Sequence, residues 1–487
     1  MLFNSYIFIL FFLPMTLVIY YGLNRAEKYA VAKGFLVLAS LFFYGYFQIS
    51  YVLLFVGSIV FNYFCSRMLL REQTNGLGKK TLLTFGILAN VGLIGYFKYF
   101  NFWLENLNVL FHTELLIKNI LMPLGISFFT FQQISYLVDS YRGETKEYGF
   151  IDYALYITFF PQLVAGPIVL HDEMLSQIAD KSKKRLNHTM LAEGIHLFAI
   201  GLFKKVMIAD TIGRGVDWGY ANVSVLTGAE AVLVSLLYTL QIYFDFSGYC
   251  DMASGIARMF HINLPINFNS PYKATSIVDF WKRWHMTLTR FLQKYVYIPL
   301  GGNRKGNVRT MVNIFVVFLV SGIWHGAAWT FILWGVIHGI ANILCRVFAK
   351  SWERFPQFLR WILTFSFVNF TWILFRSTKI SEAKEMFAKI FSCWEGGISA
   401  QFLDNFRILE FTYIEDHVPM LRELVVTMPS FYLCVILLVG LGIALIPKNS
   451  QEVEFVPNLG NALGSVILLI WSILSLSGLT TFLYFNF

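Results

Sequence analysis

Charge is scarce in this 487-residue chain: Asp, Glu, Lys and Arg make up 14% of it, where a soluble domain carries about a quarter. An ordinary water-soluble protein is thereby excluded. Cysteine is scarce too, five in all, with Cys65, Cys250, Cys345 and Cys434 in or beside apolar runs and none in a CxxC pair. Neither a disulfide framework nor a zinc site is indicated. There is no internal repeat, no low-complexity tract, and no GxSxG, HExxH, Walker or Rossmann pattern in a suitable context. Serine-hydrolase, zinc-protease and nucleotidase chemistry therefore lack support. The opening stretch MLFNSYIFILFFLPMTLVIYYGL has no basic n-region and no small-residue cleavage site, and reads as a retained membrane helix.

Apolar residues make up 57% of the chain, with 50 Phe, 25 Tyr and 12 Trp, as expected where apolar runs face hydrocarbon and rings gather at the interfaces. Runs long enough to cross about 30 Å of hydrocarbon lie near 5–23, 34–49, 51–66, 81–97, 151–170, 190–209, 229–248, 310–324, 327–345, 361–375, 430–446 and 463–485. The expected fold is an all-α polytopic membrane protein, residues 1–487 forming one membrane domain of roughly 11–13 segments. The stretch 119–140 is interrupted by Pro123, Gly125, Gln132 and Gln133 and reads as re-entrant or cavity-lining, since broken backbone at that depth must be buried in protein or face water.

Lys and Arg exceed Asp and Glu by 38 to 29, a net +9. The excess lies in loops between apolar runs, so it signals topology and not nucleic-acid binding. Loops with Arg25, Lys28 and Lys33, with Arg67, Arg71, Lys79 and Lys80, and with Lys181, Lys183, Lys184 and Arg185 are expected in the cytoplasm. From 377 to 429 acidic residues outnumber basic ones, and that segment is expected outside.

The least lipid-like stretch is Ser276–Gly306. Read as one helix, it places Trp281, His285, Leu288 and Leu292 on one face and Arg283, Arg290 and Lys294 on another. Such a helix either lies amphipathically at the interface or lines a cytoplasmic cavity with its cations held for an anionic, phosphate-bearing ligand. The following Pro299–Arg304 turn, with Asn303, suggests a backbone nest adding anion-binding N–H groups. In Ser321–Trp329, His325 lies between Gly322 and Gly326, a spacing that lets backbones approach and leaves the imidazole little cover. An intramembrane imidazole is costly and can take a proton from a hydroxyl or thiol near neutral pH. His338 reads mainly as a packing residue. Two further polar clusters, Gln241 to Asp251 and Ser127 to Arg142, should face a cavity or pair with cations.

These residues resemble the membrane-bound O-acyltransferase family, in its bacterial alginate O-acetyltransferase-like branch. The resemblance rests on DFWKRWHMTLTRFLQKYVYIPLGGNR at 279–304 and SGIWHGAAWTFILWGVIHG at 321–339. FDFSGYCDMA at 244–253, PLGISFFTFQQISYLVD at 123–139 and FFPQLVAGPI at 159–168 support it. It implies helices around a central funnel, a catalytic core within 119–345, and His325 and His285 as catalytic residues. His325 would act as general base or briefly carry the acyl group, and His285 would orient or polarise the donor carbonyl. Trp281, Arg283, Trp284, Arg290, Tyr295, Asn303, Arg304, Asp245 and Gln241 are the candidate substrate-binding residues. The resemblance also implies a cytoplasmic donor, acetyl-CoA or an acyl carrier protein, with no bound cofactor or metal. It further implies an extracytoplasmic polysaccharide acceptor or partner transferase, and a place in the inner membrane among lipids. D-alanyl transfer to teichoic acid, or a polysaccharide or lipid translocator without acyl chemistry, are the competing readings.

Overall fold

The computed structural model describes residues 1–71, 76–118, 120–476 and 481–483. Among them the chain is helical and contains no strand. Seven helices are long and apolar enough to cross a membrane: Phe8–Arg25, Ser50–Leu70, Gly76–Phe111, Gly228–Met259, Asn307–His325, Trp329–Val347 and Gln357–Arg376. The pair Pro419–Thr427 and Phe431–Leu445, bent by 96°, makes eight if it is one span. The other apolar runs form shorter or broken helices. Tyr29–Gly45 and Leu459–Leu474 are two of them; the last expected run reaches into 477–480 and 484–485, outside the described residues. The 151–170 run is not one segment: it breaks into Phe150–Thr158 and Phe160–Leu163 around Phe159, next to Pro161, which cannot donate a helical hydrogen bond.

Gly228–Met259 is the central pillar, 83% buried along its apolar window where Gly76–Phe111 is 11% buried and faces outward. Thr227 and Glu230 close its N-terminus as a reciprocal capping box. His188–Phe203 lies against it with small residues at the contact: a Cβ on Gly201 would stand 2.6 Å from the Gly248 carbonyl, and one on Gly194 2.6 Å from that of Gly255. The pillar's buried carboxylates find cations on the neighbouring turn, Asp251 on Lys204 and Asp245 on Lys205, both at 2.7 Å. Of the two alternatives expected for carboxylates in this run, a cavity or a cation, Asp245 and Asp251 take the cation.

The stretch Ile126–Arg142 is a helix whose residues are mostly buried. Gln133 Oε1 accepts from Ser58 at 2.8 Å and from Asn62 at 3.0 Å, so the interrupted segment is covered by protein as its composition requires. The ends of the molecule sort by charge. At one end Tyr21 donates to the Met259 carbonyl and Arg258 pairs with Glu193, near the basic loops. At the other, Lys389 donates to the Ser224 carbonyl and Thr330 to that of Ser377. The acidic segment 377–429 sits at that second end as four helices rather than as a loop. Glu230 anchors it by accepting from Ser399 N–H and O–H at 2.8 and 2.6 Å.

Candidate active site

The stretch around His285 is not one helix. Ile277–Arg283 and Met286–Leu292 are separate short helices, and His285 between them is left-handed, with φ 45° and ψ 51°. The two side-chain faces expected for a continuous helix therefore do not form. A left-handed non-glycine residue is costly and persists only where its surroundings hold it. Asn267 does so. Its Oδ1 accepts from the Thr287 N–H at 3.2 Å and the Thr287 hydroxyl at 2.8 Å, and lies 3.1 Å from His285 Nδ1. An oxygen already accepting from an amide is an acceptor to the imidazole as well, so in the neutral ring Nδ1 carries the proton and Nε2 the lone pair. Thr287 Oγ1 in turn accepts from Ile168 N–H at 3.0 Å, which ties the break to the 159–168 motif.

His325 ends the helix Asn307–His325. Its Gly322 packs backbone to backbone on Gly335 of Trp329–Val347: a Cβ on Gly322 would lie 2.5 Å from the Phe331 carbonyl and 3.1 Å from Gly335 Cα. The close approach does not leave the imidazole uncovered. It is 3% exposed, with the rings of Trp324, Phe375 and Trp334 centred 4.9, 5.1 and 5.2 Å away. Trp324 is shared, its ring lying 6.1 Å from His285. Two residues the sequence did not single out complete this corner. Lys98 Nζ donates to the carbonyls of Trp324 and His325 at 2.7 and 2.9 Å, and the Tyr99 hydroxyl donates to the Ile323 carbonyl. The apolar run read from the sequence stops at 97, whereas in the structure the helix continues to Phe111 and carries Lys98 within it.

Two cavities flank the last turns of Asn307–His325. A larger one of about 700 Å³ is lined by Trp281, Leu292, Phe318 and Ser321, with Lys282, Asn303, Arg304, Lys305 and Arg346 exposed at its basic mouth. A smaller one of about 200 Å³ is lined by Lys98, Gly125, Ser127, Phe128, Trp324 and His325. Ser321 and His325 are successive turns of one helix. Spaced i and i+4 they share one face, so this face meets the smaller cavity at His325 and, one turn earlier, the larger basic cavity at Ser321.

A model of the membrane-bound O-acyltransferase family matches residues 74–380. The chain belongs to that family. It is similar to the peptidoglycan O-acetyltransferase of Helicobacter pylori, 40% identical over 100% of this chain and 98% of that one. It is 38% identical to the probable alginate O-acetylase AlgI of Pseudomonas aeruginosa over 80% and 75% of the two chains. To the teichoic acid D-alanyltransferase of Bacillus subtilis it is 30% identical over 53% and 69%. The protein is a polytopic membrane O-acyltransferase.

In this acyltransferase the candidate substrate-binding residues divide. Trp281, Asn303 and Arg304 line the larger cavity. Arg283, Arg290 and Tyr295 instead serve carboxylates of their own chain: Arg283 Nε donates to Asp279 at 2.9 Å, Arg290 to Glu173 at 2.8 Å, and the Tyr295 hydroxyl to Asp139 at 2.7 Å. Lys294 also lies 3.2 Å from Asp139. Arg283, Arg290 and Lys294, the cations expected on one face, are thus each paired with a carboxylate of their own chain. Trp284 is core, stacked on Phe280 and 4.9 Å from Trp372. Asp245 is held by Lys205, and buried Gln241 lies against Gly213; neither lines a cavity described above. The expected nest does not form either, since the N–H groups of Gly301, Gly302 and Arg304 are spent on Ile298, Tyr297 and Gly301 carbonyls. His338 accepts from Trp281 Nε1 at 3.2 Å and donates through Nε2 to Thr371 at 3.0 Å, so it links Ile277–Arg283 to Gln357–Arg376.

Proposed function

We propose that this acyltransferase moves an acetyl group from a cytoplasmic thioester to a hydroxyl reached from the opposite face, in the cytoplasmic membrane of a bacterial cell. The observation that carries the reading is that His325 and Ser321, one turn apart on one helix face, line the smaller and the larger cavity respectively. The basic mouth suits a donor with phosphates, such as acetyl-CoA, whose thioester would rise past Trp281 and Ser321. The smaller cavity admits the hydroxyl. His325 takes the hydroxyl proton as the oxygen attacks the thioester carbonyl; the tetrahedral intermediate collapses, the C–S bond breaks, and the thiolate regains that proton. The alternative, a transient acyl group on His325, uses the same geometry. A base contributes about 10²–10⁴-fold, so alignment of donor and acceptor supplies much of the remainder. His285 gives its N–H to Asn267, so its role is to orient the reaction corner and not to donate a hydrogen bond to the carbonyl.

The acceptor is an envelope polysaccharide or a partner transferase that modifies it. The relative matched along its whole length is named for peptidoglycan, which makes peptidoglycan the first polymer to test ahead of alginate. The decisive experiment supplies purified protein in vesicles with labelled acetyl-CoA outside and peptidoglycan fragments within. Labelled O-acetyl ester on the fragments is expected. Transport of intact glycan with no acetyl transfer would replace the reading with a translocator, and transfer only from a D-alanyl carrier protein would replace the donor.

A further inference from the structure

A helix that ends inside a membrane protein leaves its last carbonyls without intrahelical donors, and where water is absent each must be satisfied from elsewhere. Asn307–His325 ends this way, because Gly326 is extended and the next helix starts only at Trp329. The donors come from a helix more than two hundred residues earlier in the chain. Lys98 and Tyr99 together hold the carbonyls of Ile323, Trp324 and His325. Both belong to the π-helical turn Gly95–Tyr99 set within Gly76–Phe111. Such a turn inserts an extra residue into the helical register and often marks a functional site. A cation at the carbonyl end of a helix has the favourable sign. Among the described residues Lys98 has no carboxylate in ion-pair contact, whereas the buried Lys204 and Lys205 do. Its ammonium stands beside His325 on the wall of the smaller cavity.

We propose that Lys98 is a positioning residue for acyl transfer: by holding the carbonyls of Trp324 and His325 it fixes the turn that presents the imidazole to the smaller cavity, one turn from the larger. The inference rests on the acyl-transfer reading above. A small misplacement of a reacting group costs up to about 10²-fold in rate without weakening donor binding, which is made in the other cavity. Removing the donor at position 98 should therefore appear in kcat and not in KM.

The test uses the full chain purified in detergent, with acetyl-CoA and soluble peptidoglycan fragments as probes and melting temperature measured alongside. Lys98→Met should lower kcat about 30-fold with the acetyl-CoA KM within about twofold, and Lys98→Arg, which keeps donors of similar reach, should recover to within about threefold of the natural chain. Tyr99→Phe removes one of the three anchors with little change of volume and should lower kcat about threefold at unchanged KM. If Lys98→Met does not fold, the Tyr99→Phe result decides: a fall in kcat alone supports the proposal, and an unchanged kcat overturns it. Undiminished kcat in a folded Lys98→Met, a loss that appears in KM, or a folded Lys98→Arg as slow as Lys98→Met would each overturn the role of Lys98 while leaving the acyl-transfer reading intact. Failure of the natural chain to take acetyl from acetyl-CoA, whether onto the fragments, water or itself, would overturn that reading, and this inference with it.

Discussion

His325 is enclosed by three aromatic rings and still borders a cavity, the arrangement a proton acceptor needs if bulk water is to be kept from the thioester. His325→Ala should lower acetyl transfer at least about 10²-fold while folding and acetyl-CoA binding, measured directly on the same preparation, stay nearly unchanged. Near-normal turnover would remove it from the chemistry, and lost binding would move it to the donor site. At His285 the loss should be smaller, because that imidazole is held by Asn267 at the break between two short helices and acts through its neighbours. A turnover as low as that of His325→Ala would give both histidines a direct part. Trp281 joins the larger cavity to His338 through its indole N–H. Trp281→Phe keeps a ring but strands the His338 acceptor, at about 1–3 kcal/mol, and is expected to raise the acetyl-CoA KM.

At the scale of elements, the hairpin of Asn307–His325 and Trp329–Val347 depends on backbone contact at Gly322 and Gly335. Gly322→Val drives a side chain into the Phe331 carbonyl, so the helices must part, at about 1–3 kcal/mol. A lower melting temperature in detergent checks this, and an unchanged one would mean the hairpin yields freely. The pillar and the turn after His188–Phe203 are joined by buried ion pairs. Asp251 meets Lys204 and also accepts from Ser450 and Gln451 at 2.7 and 2.8 Å, so one carboxylate holds three pieces of chain. Lys204→Met leaves that carboxylate buried and undercompensated, a loss of about 3–5 kcal/mol, whereas Lys204→Met with Asp251→Leu should regain most of it. Equal destabilisation by the single and the double variant would show that the pair contributes only shape.

For the whole molecule, the proposed direction, with the donor entering from the basic end and the acceptor from the acidic one, is open to a direct test. Cysteines at Gln293 and Lys305, both exposed on the larger cavity, in a background without native cysteines, should react with an impermeant thiol reagent from the cytoplasmic side alone. Reaction from outside would reverse the donor and acceptor cavities. By itself the amino-acid order was enough to establish a helical membrane protein, the resemblance to its family carried by the motifs around His285 and His325, and the requirement that Asp245 and Asp251 face a cavity or meet a cation. The first and the last of these follow from local composition: the cost of charge in lipid and the length of an apolar run act residue by residue. Tertiary structure alone decided the rest. It broke the Ser276–Gly306 helix at His285, gave Arg290 to Glu173 and Lys294 to Asp139, separated the larger cavity from the smaller by one helical turn, and brought Lys98 to the carbonyl of His325. The ion pairs and the Lys98 contact join groups far apart in the chain, and periodicity along a helix says which face is polar but not which distant partner that face will meet.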